Sequence, residues 1–145
     1  MLKAGDAAPS FEAQDHEGRA VKLSDYAGKR LILWFYPKAD TPGCTREGCG
    51  FRDFYADYQA KDAAILGVSY DTPAENKAFH EKYQFPYPLL SDTQQAIAKA
   101  YGAFNAQQPG YPDRNTYVIG GDGKLEKVLL AVNAKTHPKA LLDEL

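Results

Sequence analysis

The sequence predicts an α/β fold in which a mixed central sheet carries helices and a small amino-terminal hairpin. Three observations predict it. Leu31, Ile32, Leu33, Trp34, Phe35 and Tyr36 form an unbroken apolar run closed by Pro37, as expected of a strand buried on both faces of a parallel sheet. A second run, Ala63–Ser69 around Ile65, Leu66 and Val68, follows a helical stretch and gives the strand, helix, strand order of a parallel crossover. Near the carboxyl end, Thr116–Ile119 and residues 125–132 flank Gly120, Gly121, Asp122 and Gly123, a strong hairpin signal.

The other elements follow in chain order. Glu17 and Gly18, between Phe11 and Leu23, mark the turn of the amino-terminal hairpin. Helical patterns recur at residues 74–83 and 94–101, with Pro86 and Pro88 breaking the chain between them. Pro138 falls where the first turn of a short terminal helix, running to Leu145, would place it. There is no repeat, low-complexity tract or linker, so the 145 residues are expected to form one domain, 1–145.

Composition removes several function classes. Apolar residues make up 44% and charged residues 25%, values of an ordinary globular chain and not of a disordered one. A net charge of -2 with scattered Lys and Arg predicts no nucleic-acid partner. The longest apolar run is far short of the roughly 20 residues of a membrane span, so no membrane association is expected. Lys3, Asp6 and Pro9 interrupt what would be the hydrophobic part of a signal peptide, and the chain as given reads as cytoplasmic.

The chemistry concentrates at two cysteines, Cys44 and Cys49. A domain of this size needs no disulfide staples, so the pair points to catalysis or metal binding. Thr41 suits a helix N-cap and Pro42 the first helical position, which puts Cys44 in the first turn of a helix directly after the central strand. Unpaired backbone amides and the positive end of the helix dipole favour a thiolate there, and the thiolate is the nucleophile.

Phe51, Phe54, Tyr55 and Tyr58 recur at i, i+3, i+4 and i+7, an apolar stripe facing the sheet, and seven positions back from Phe51 lies Cys44. Cys49 is rotated about 140° from Cys44 and shifted about 7.5 Å along an ideal helix, which separates the Cα atoms by roughly 8.6 Å. A disulfide tolerates at most about 7 Å. Cys49 shares its face with Arg52 and Asp53 and is expected to point to solvent, so the helix must unwind locally before the two sulfurs join.

Simpler readings stand beside this one. A free cysteine is often a small buried hydrophobe, although packing does not explain a Thr-Pro-Gly-Cys helix start with a second cysteine in the same helix. A metal site needs more ligands, and His16, His80 and His137 show no paired spacing and read as ordinary surface or half-buried histidines. A thioredoxin-type exchanger would place two residues between its cysteines, where this chain places four. Arg114, before the strand at Thr116, reads locally as a solvated charge.

Residues 35–53, FYPKADTPGCTREGCGFRD, resemble the active-site segment of peroxiredoxins, in particular the peroxiredoxin Q or bacterioferritin comigratory protein subfamily. The resemblance continues through ILGVSYDTP at 65–73, FPYPLLSD at 85–92 and RNTYVIGGDGK at 114–124, covering nearly the whole chain. It implies a thioredoxin-like fold and a cofactor-free peroxidase that acts on hydroperoxides through a disulfide intermediate. Thioredoxin or a similar dithiol would be the reductant, and the subfamily favours a monomer.

Carried over residue by residue, the resemblance makes Cys44 the peroxidatic cysteine and Cys49 the resolving one. It has Thr41 direct its hydroxyl to the thiolate and the peroxide, Pro37 shield the pocket, and Arg114 act as the active-site arginine. Backbone amides near Gly43 would help to stabilise the departing oxygen, and Glu47, at i+3 from Cys44, would orient Arg114. Residues 103–113 and Gly120 depart from the family pattern. The alternative class is a peroxide-responsive redox sensor or a thiol-disulfide exchange protein, which shares the chemistry and differs in turnover.

Overall fold

The computed structural model describes residues 2–145. Strands β1 (Glu12–Asp15), β2 (Ala20–Lys22), β3 (Arg30–Phe35), β4 (Ala63–Ser69), β5 (Leu89–Ser91), β6 (Thr116–Ile119) and β7 (Leu125–Leu129) form one sheet in the order β2-β1-β5-β4-β3-β6-β7. The inner strands β3, β4 and β5 are parallel, and β6 and β7 on one side and β1 and β2 on the other run antiparallel to their neighbours. The helices are α1 (Pro42–Asp53), α2 (Tyr55–Ala60), α3 (Pro73–Tyr83), α4 (Ala96–Tyr101) and α5 (His137–Glu144).

The apolar run alternates across the sheet. Leu31, Leu33 and Phe35 enter one core with Leu66, Val68 and residues of α4, whereas Ile32, Trp34 and Tyr36 enter another with residues of α1, α2, α3 and α5. A strand flanked on both faces in this way has no polar side, which is why its sequence is continuously apolar. Tyr36 lies one residue past β3, yet its N–H still donates to the Val68 carbonyl at 3.0 Å. The chain therefore leaves the sheet at Pro37, the carboxyl end of a central strand, where open α/β sheets place their ligands.

Three boundaries differ from the sequence expectation, each for a tertiary reason. The aromatic stripe lies on two helices, because the chain turns at Phe54 (φ -101, ψ 11). With that turn Phe51 and Tyr58 are both fully buried, and the Tyr58 hydroxyl donates to the Pro138 carbonyl at 2.6 Å, while Phe54 and Tyr55 stay half-buried. Helix α4 starts at Ala96, not at residue 94, because Gln95 is left-handed and the buried Asp92 carboxylate accepts from the Ile97 and Ala98 amides. Strand β7 ends at Leu129: the Ala131 N–H donates to the Asn115 side chain and the Val132 N–H to the Arg114 carbonyl, drawing the chain off the sheet.

The segment 103–113, which departs from the family pattern, is a loop closed on itself. Asp113 N–H donates to the Ala103 carbonyl at 2.7 Å and Asn105 bonds the Asp113 carboxylate at 3.2 Å, so the chain arrives at Arg114 from a fixed direction.

Helix α1 is held against α5 with no room for a side chain at Gly50. A Cβ there would stand 2.7 Å from Pro138 Cγ and 3.0 Å from its Cβ. Replacing Gly by Ala in a free helix stabilises by roughly 1 kcal/mol, whereas overpacking costs about 1–3 kcal/mol. Gly50→Ala is expected to lower stability in urea denaturation; a variant more stable than the parent would show that the two helices separate freely.

Candidate active site

The segment between β3 and α1 presents the first candidate residues. Thr41 has the extended backbone of an N-cap (φ -96, ψ 156), its carbonyl accepts the Thr45 amide at 2.8 Å, and Pro42 opens the helix as the sequence predicts. Its side chain does something else. The hydroxyl donates to the Lys38 carbonyl at 2.7 Å and accepts no helix amide, so the first amides of α1 gain no partner from it. Asp40, left-handed at φ 59, is pinned by Lys82 Nζ at 2.9 Å and by the Tyr83 hydroxyl at 2.9 Å, tying this segment to α3. Pro37 is half-buried at its start.

Cys44 sits in the first turn of α1 with 0% of its surface exposed, in the core that contains Trp34, Tyr36 and Phe51. Arg114, read locally as a solvated charge, is not one. Although 70 residues away in sequence, it directs Nη2 to Cys44 Sγ at 3.4 Å and Nη1 to Glu47 Oε1 at 2.8 Å. Its side chain keeps 20% exposure while Glu47 has none. Gly43 makes this possible, since a Cβ at that position would stand 3.0 Å from Arg114 Nη2. The guanidinium thus lies against the start of the helix, between a carboxylate and a sulfur.

Burial pushes the Glu47 carboxyl up to about 7, against the pull of Arg114. Its Oε1 is taken by Arg114, and its buried Oε2 has no hydrogen-bond partner among the described residues. Burial also works against the charge on Arg114, but the Cys44 sulfur and the Glu47 carboxylate outweigh it and leave the guanidinium above its ordinary value. A planar cation with parallel donors can hold a carboxylate and a second negative centre at the same time.

Cys49 is unpaired, as is Cys44. Both lie on the continuous helix α1, and Cys49 is half-buried against the core, less solvated than its neighbours Arg52 and Asp53 imply. It lines an open groove with Asp40, Pro42, Thr45, Arg46, Lys82 and Tyr83, and burial pushes its thiol up. Two of the three histidines depart from expectation: His16 and His137 are buried, while His80 is half-buried as expected. His16 and His80 stack at 3.7 Å, while His137 bonds Thr116 at 2.9 Å and is pushed down to about 4 by burial. Among the described residues no three His, Cys, Asp or Glu side chains are grouped as metal ligands would be, and no helix is long and apolar enough to cross a membrane.

Sequence reasoning singled out Pro37, Thr41, Gly43, Cys44, Glu47, Cys49 and Arg114, but missed the tie of Asp40 to Lys82 and Tyr83 and the network behind the site. Tyr36, Ser69, Asp71 and Asn76 form a buried set of hydrogen bonds that also reaches Lys38 and Ala39. The available signal was a polar Ser-Tyr-Asp-Thr string closing an otherwise apolar strand.

Known proteins share this arrangement of chain. The family model described as AhpC/TSA family matches residues 4–128. Peroxiredoxin Bcp of Bacillus subtilis (strain 168) is 38% identical over 150 residues, covering 99% of this chain and 95% of the relative. The chloroplastic peroxiredoxin Q of Populus jackii is 38% identical over 140 residues, covering 97% of this chain, which spans only 64% of that relative's length. The bacterioferritin comigratory protein of Xanthomonas campestris, solved as a trapped intermediate/ligand complex bearing on its alkyl peroxide reduction activity, superposes with a TM-score of 0.87. It is 29% identical, and the match covers 92% of this chain and 88% of that one. The thioredoxin-like fold expected from the sequence is therefore the one present.

Glu47 offers a test of the buried pair. Its folded-state value, about 7, lies above the ordinary 4.5, so the folded protein keeps a proton that the unfolded chain has already released. The resulting stabilisation is complete below the ordinary value and is lost as pH rises through about 7. Between about pH 5 and about pH 8 the parent should lose stability relative to Glu47→Gln in urea denaturation. Parallel pH profiles for the two proteins would contradict the buried, raised carboxyl.

Proposed function

Since the chain belongs to the AhpC/TSA family and, within it, to the peroxiredoxins, we propose that it is a thiol-dependent peroxidase that reduces hydrogen peroxide and organic hydroperoxides. Cys44 is the attacking sulfur, and Cys49 closes a disulfide onto it. The observation that carries this proposal is the contact of Arg114 with Cys44 Sγ at 3.4 Å, with the same guanidinium bonded to Glu47.

In the first step the ionised sulfur attacks the terminal oxygen of ROOH. An S–O bond forms as the O–O bond breaks, and the electron pair leaves on RO⁻, which takes up a proton. Sulfur is oxidised to the sulfenic acid. Negative charge moves from sulfur toward the departing oxygen, and the groups able to follow it are the Arg114 guanidinium and the amides near Gly43 and Cys44. Removing one such preorganised donor commonly costs about 2.7 to 4 kcal/mol. Thr41 takes part as an acceptor: its proton is held by Lys38, so toward the substrate it presents lone pairs that receive the hydroperoxide O–H. Pro37 shields the pocket from water.

In the second step Cys49 attacks the sulfenic sulfur, the disulfide forms, and water is released. Both cysteines lie on one intact helix, so residues between and around them must unwind first. Gly48 and Gly50 flank Cys49 and are weak helix formers, which lowers the cost of that opening. The open groove beside Cys49 gives a dithiol reductant such as thioredoxin access to the bridge. We propose a cytoplasmic monomer: turnover by a dithiol donor requires a reducing compartment, and the resemblance to the subfamily favours a monomer.

Cys44→Ser should abolish peroxide consumption. Cys49→Ser should reduce one equivalent of hydrogen peroxide and then stall in an assay coupled to thioredoxin, its reductase and NADPH. Sustained turnover by Cys49→Ser would remove Cys49 from the cycle, and single-turnover behaviour of the parent would favour a sensor over an enzyme.

A further inference from the structure

Resting on the peroxidase function above, we infer that Asp71 is a positioning residue for peroxide reduction, which through Lys38 and Ala39 fixes the Thr41 hydroxyl as an acceptor for the incoming hydroperoxide. Asp71 follows β4 at the carboxyl end of the sheet, is 4% exposed, and has no part in the steps described above. Its two oxygens are aimed at consecutive residues of the segment that leads to Cys44. Oδ1 meets Lys38 Nζ at 2.6 Å, and Oδ2 accepts the Ala39 amide at 2.8 Å.

The carboxylate is itself held from behind. Ser69 Oγ donates to Asp71 Oδ2 at 2.8 Å and lies 3.3 Å from Asn76 Oδ1, which accepts the Tyr36 hydroxyl at 2.6 Å. Asn76 Nδ2 donates to Ser91 Oγ at 3.0 Å. The ends of β3, β4 and β5 and the first turns of α3 thereby fix one acidic group, and that group fixes Lys38 and Ala39. Stability alone explains this poorly, because an ion pair whose cation stays in solvent contributes little.

What the arrangement determines is a proton. A hydroxyl has one hydrogen to donate, and that of Thr41 goes to the Lys38 carbonyl at 2.7 Å. Its lone pairs are left to accept the O–H on the terminal oxygen of ROOH, which turns that oxygen toward sulfur. If Lys38 and Ala39 were released, the Thr41 hydroxyl would be free to rotate and to donate to the Cys44 sulfur, removing the acceptor and competing for the charge that attacks. Asp71 thus acts at one remove, through Thr41.

That dependence separates positioning from scaffolding. Oxidation of Cys44 by hydrogen peroxide is followed by stopped-flow tryptophan fluorescence in the Cys49→Ser background, which isolates the first step, with Asp71→Asn, Thr41→Val and the double variant compared. Asp71→Asn is expected to slow oxidation about tenfold, and to slow it no further once Thr41 is Val. An equal slowing in both backgrounds, or none in either, overturns the proposal. Lys38→Met, which removes only the exposed partner, should repeat the pattern with a smaller effect of about threefold, and keeps the test decisive if Asp71→Asn does not fold. Additive slowing by Lys38→Met likewise overturns the proposal. A Cys49→Ser parent inert to hydrogen peroxide would instead defeat the peroxidase function on which the comparison rests.

Discussion

The guanidinium of Arg114 lies between the fully buried carboxylate of Glu47 and the sulfur of Cys44, and the rest of the site is arranged around that placement. A carboxylate removed from water is tolerated only with a partner, and a guanidinium beside it would be neutralised if the carboxylate were its only neighbour. The burial that pushes Glu47 upward weakens that neutralisation and leaves positive charge for the sulfur. Glu47 comes from α1 and Arg114 from the approach to β6, so the pair also joins the two sides of the site. The backbone does its share: Gly43 admits the guanidinium, and the Val132 amide bonds the Arg114 carbonyl.

The proposed cycle puts helix α1 under two opposed demands. In that cycle its first turn stays wound beneath Cys44, and its later turns open so that Cys49 reaches it. The packing follows this division. Cys44 and Glu47 are fully buried and tied to Arg114, whereas Cys49 is half-buried beside a groove and flanked by glycines. The close seat of Gly50 on Pro138 and of Gly48 beneath Phe85 holds the wound form through contact, not through helix propensity. Contacts of that kind would be lost together on the proposed opening, which suits a two-state change.

Much of this was legible in the chain. The apolar run of β3 declares a strand covered on both faces, and the Thr-Pro-Gly-Cys string declares a helix start with sulfur in its first turn. Arg114 was not legible locally, since a lone arginine before a strand carries no sign of a partner 70 residues away; only the family resemblance assigned it. The turn at Phe54 was hidden because helical spacing continues across it, and tertiary bonding to Pro138 decides the axis. The direction of the Thr41 hydroxyl was hidden for a related reason. An N-cap threonine and one that donates backward to a carbonyl have the same sequence, and Asp71, which accepts the Ala39 amide of that same peptide unit, lies beyond the next strand.

The planar fork of Arg114, and not simply a positive charge, joins Glu47 to Cys44. Arg114→Lys keeps the charge and removes the fork. The second-order rate constant for oxidation of Cys44 by hydrogen peroxide in that variant is the most direct measurement. A fall of about tenfold or more, with the fold retained, is predicted. A rate equal to that of the parent would mean that any nearby cation suffices and that the fork is not what joins the two groups.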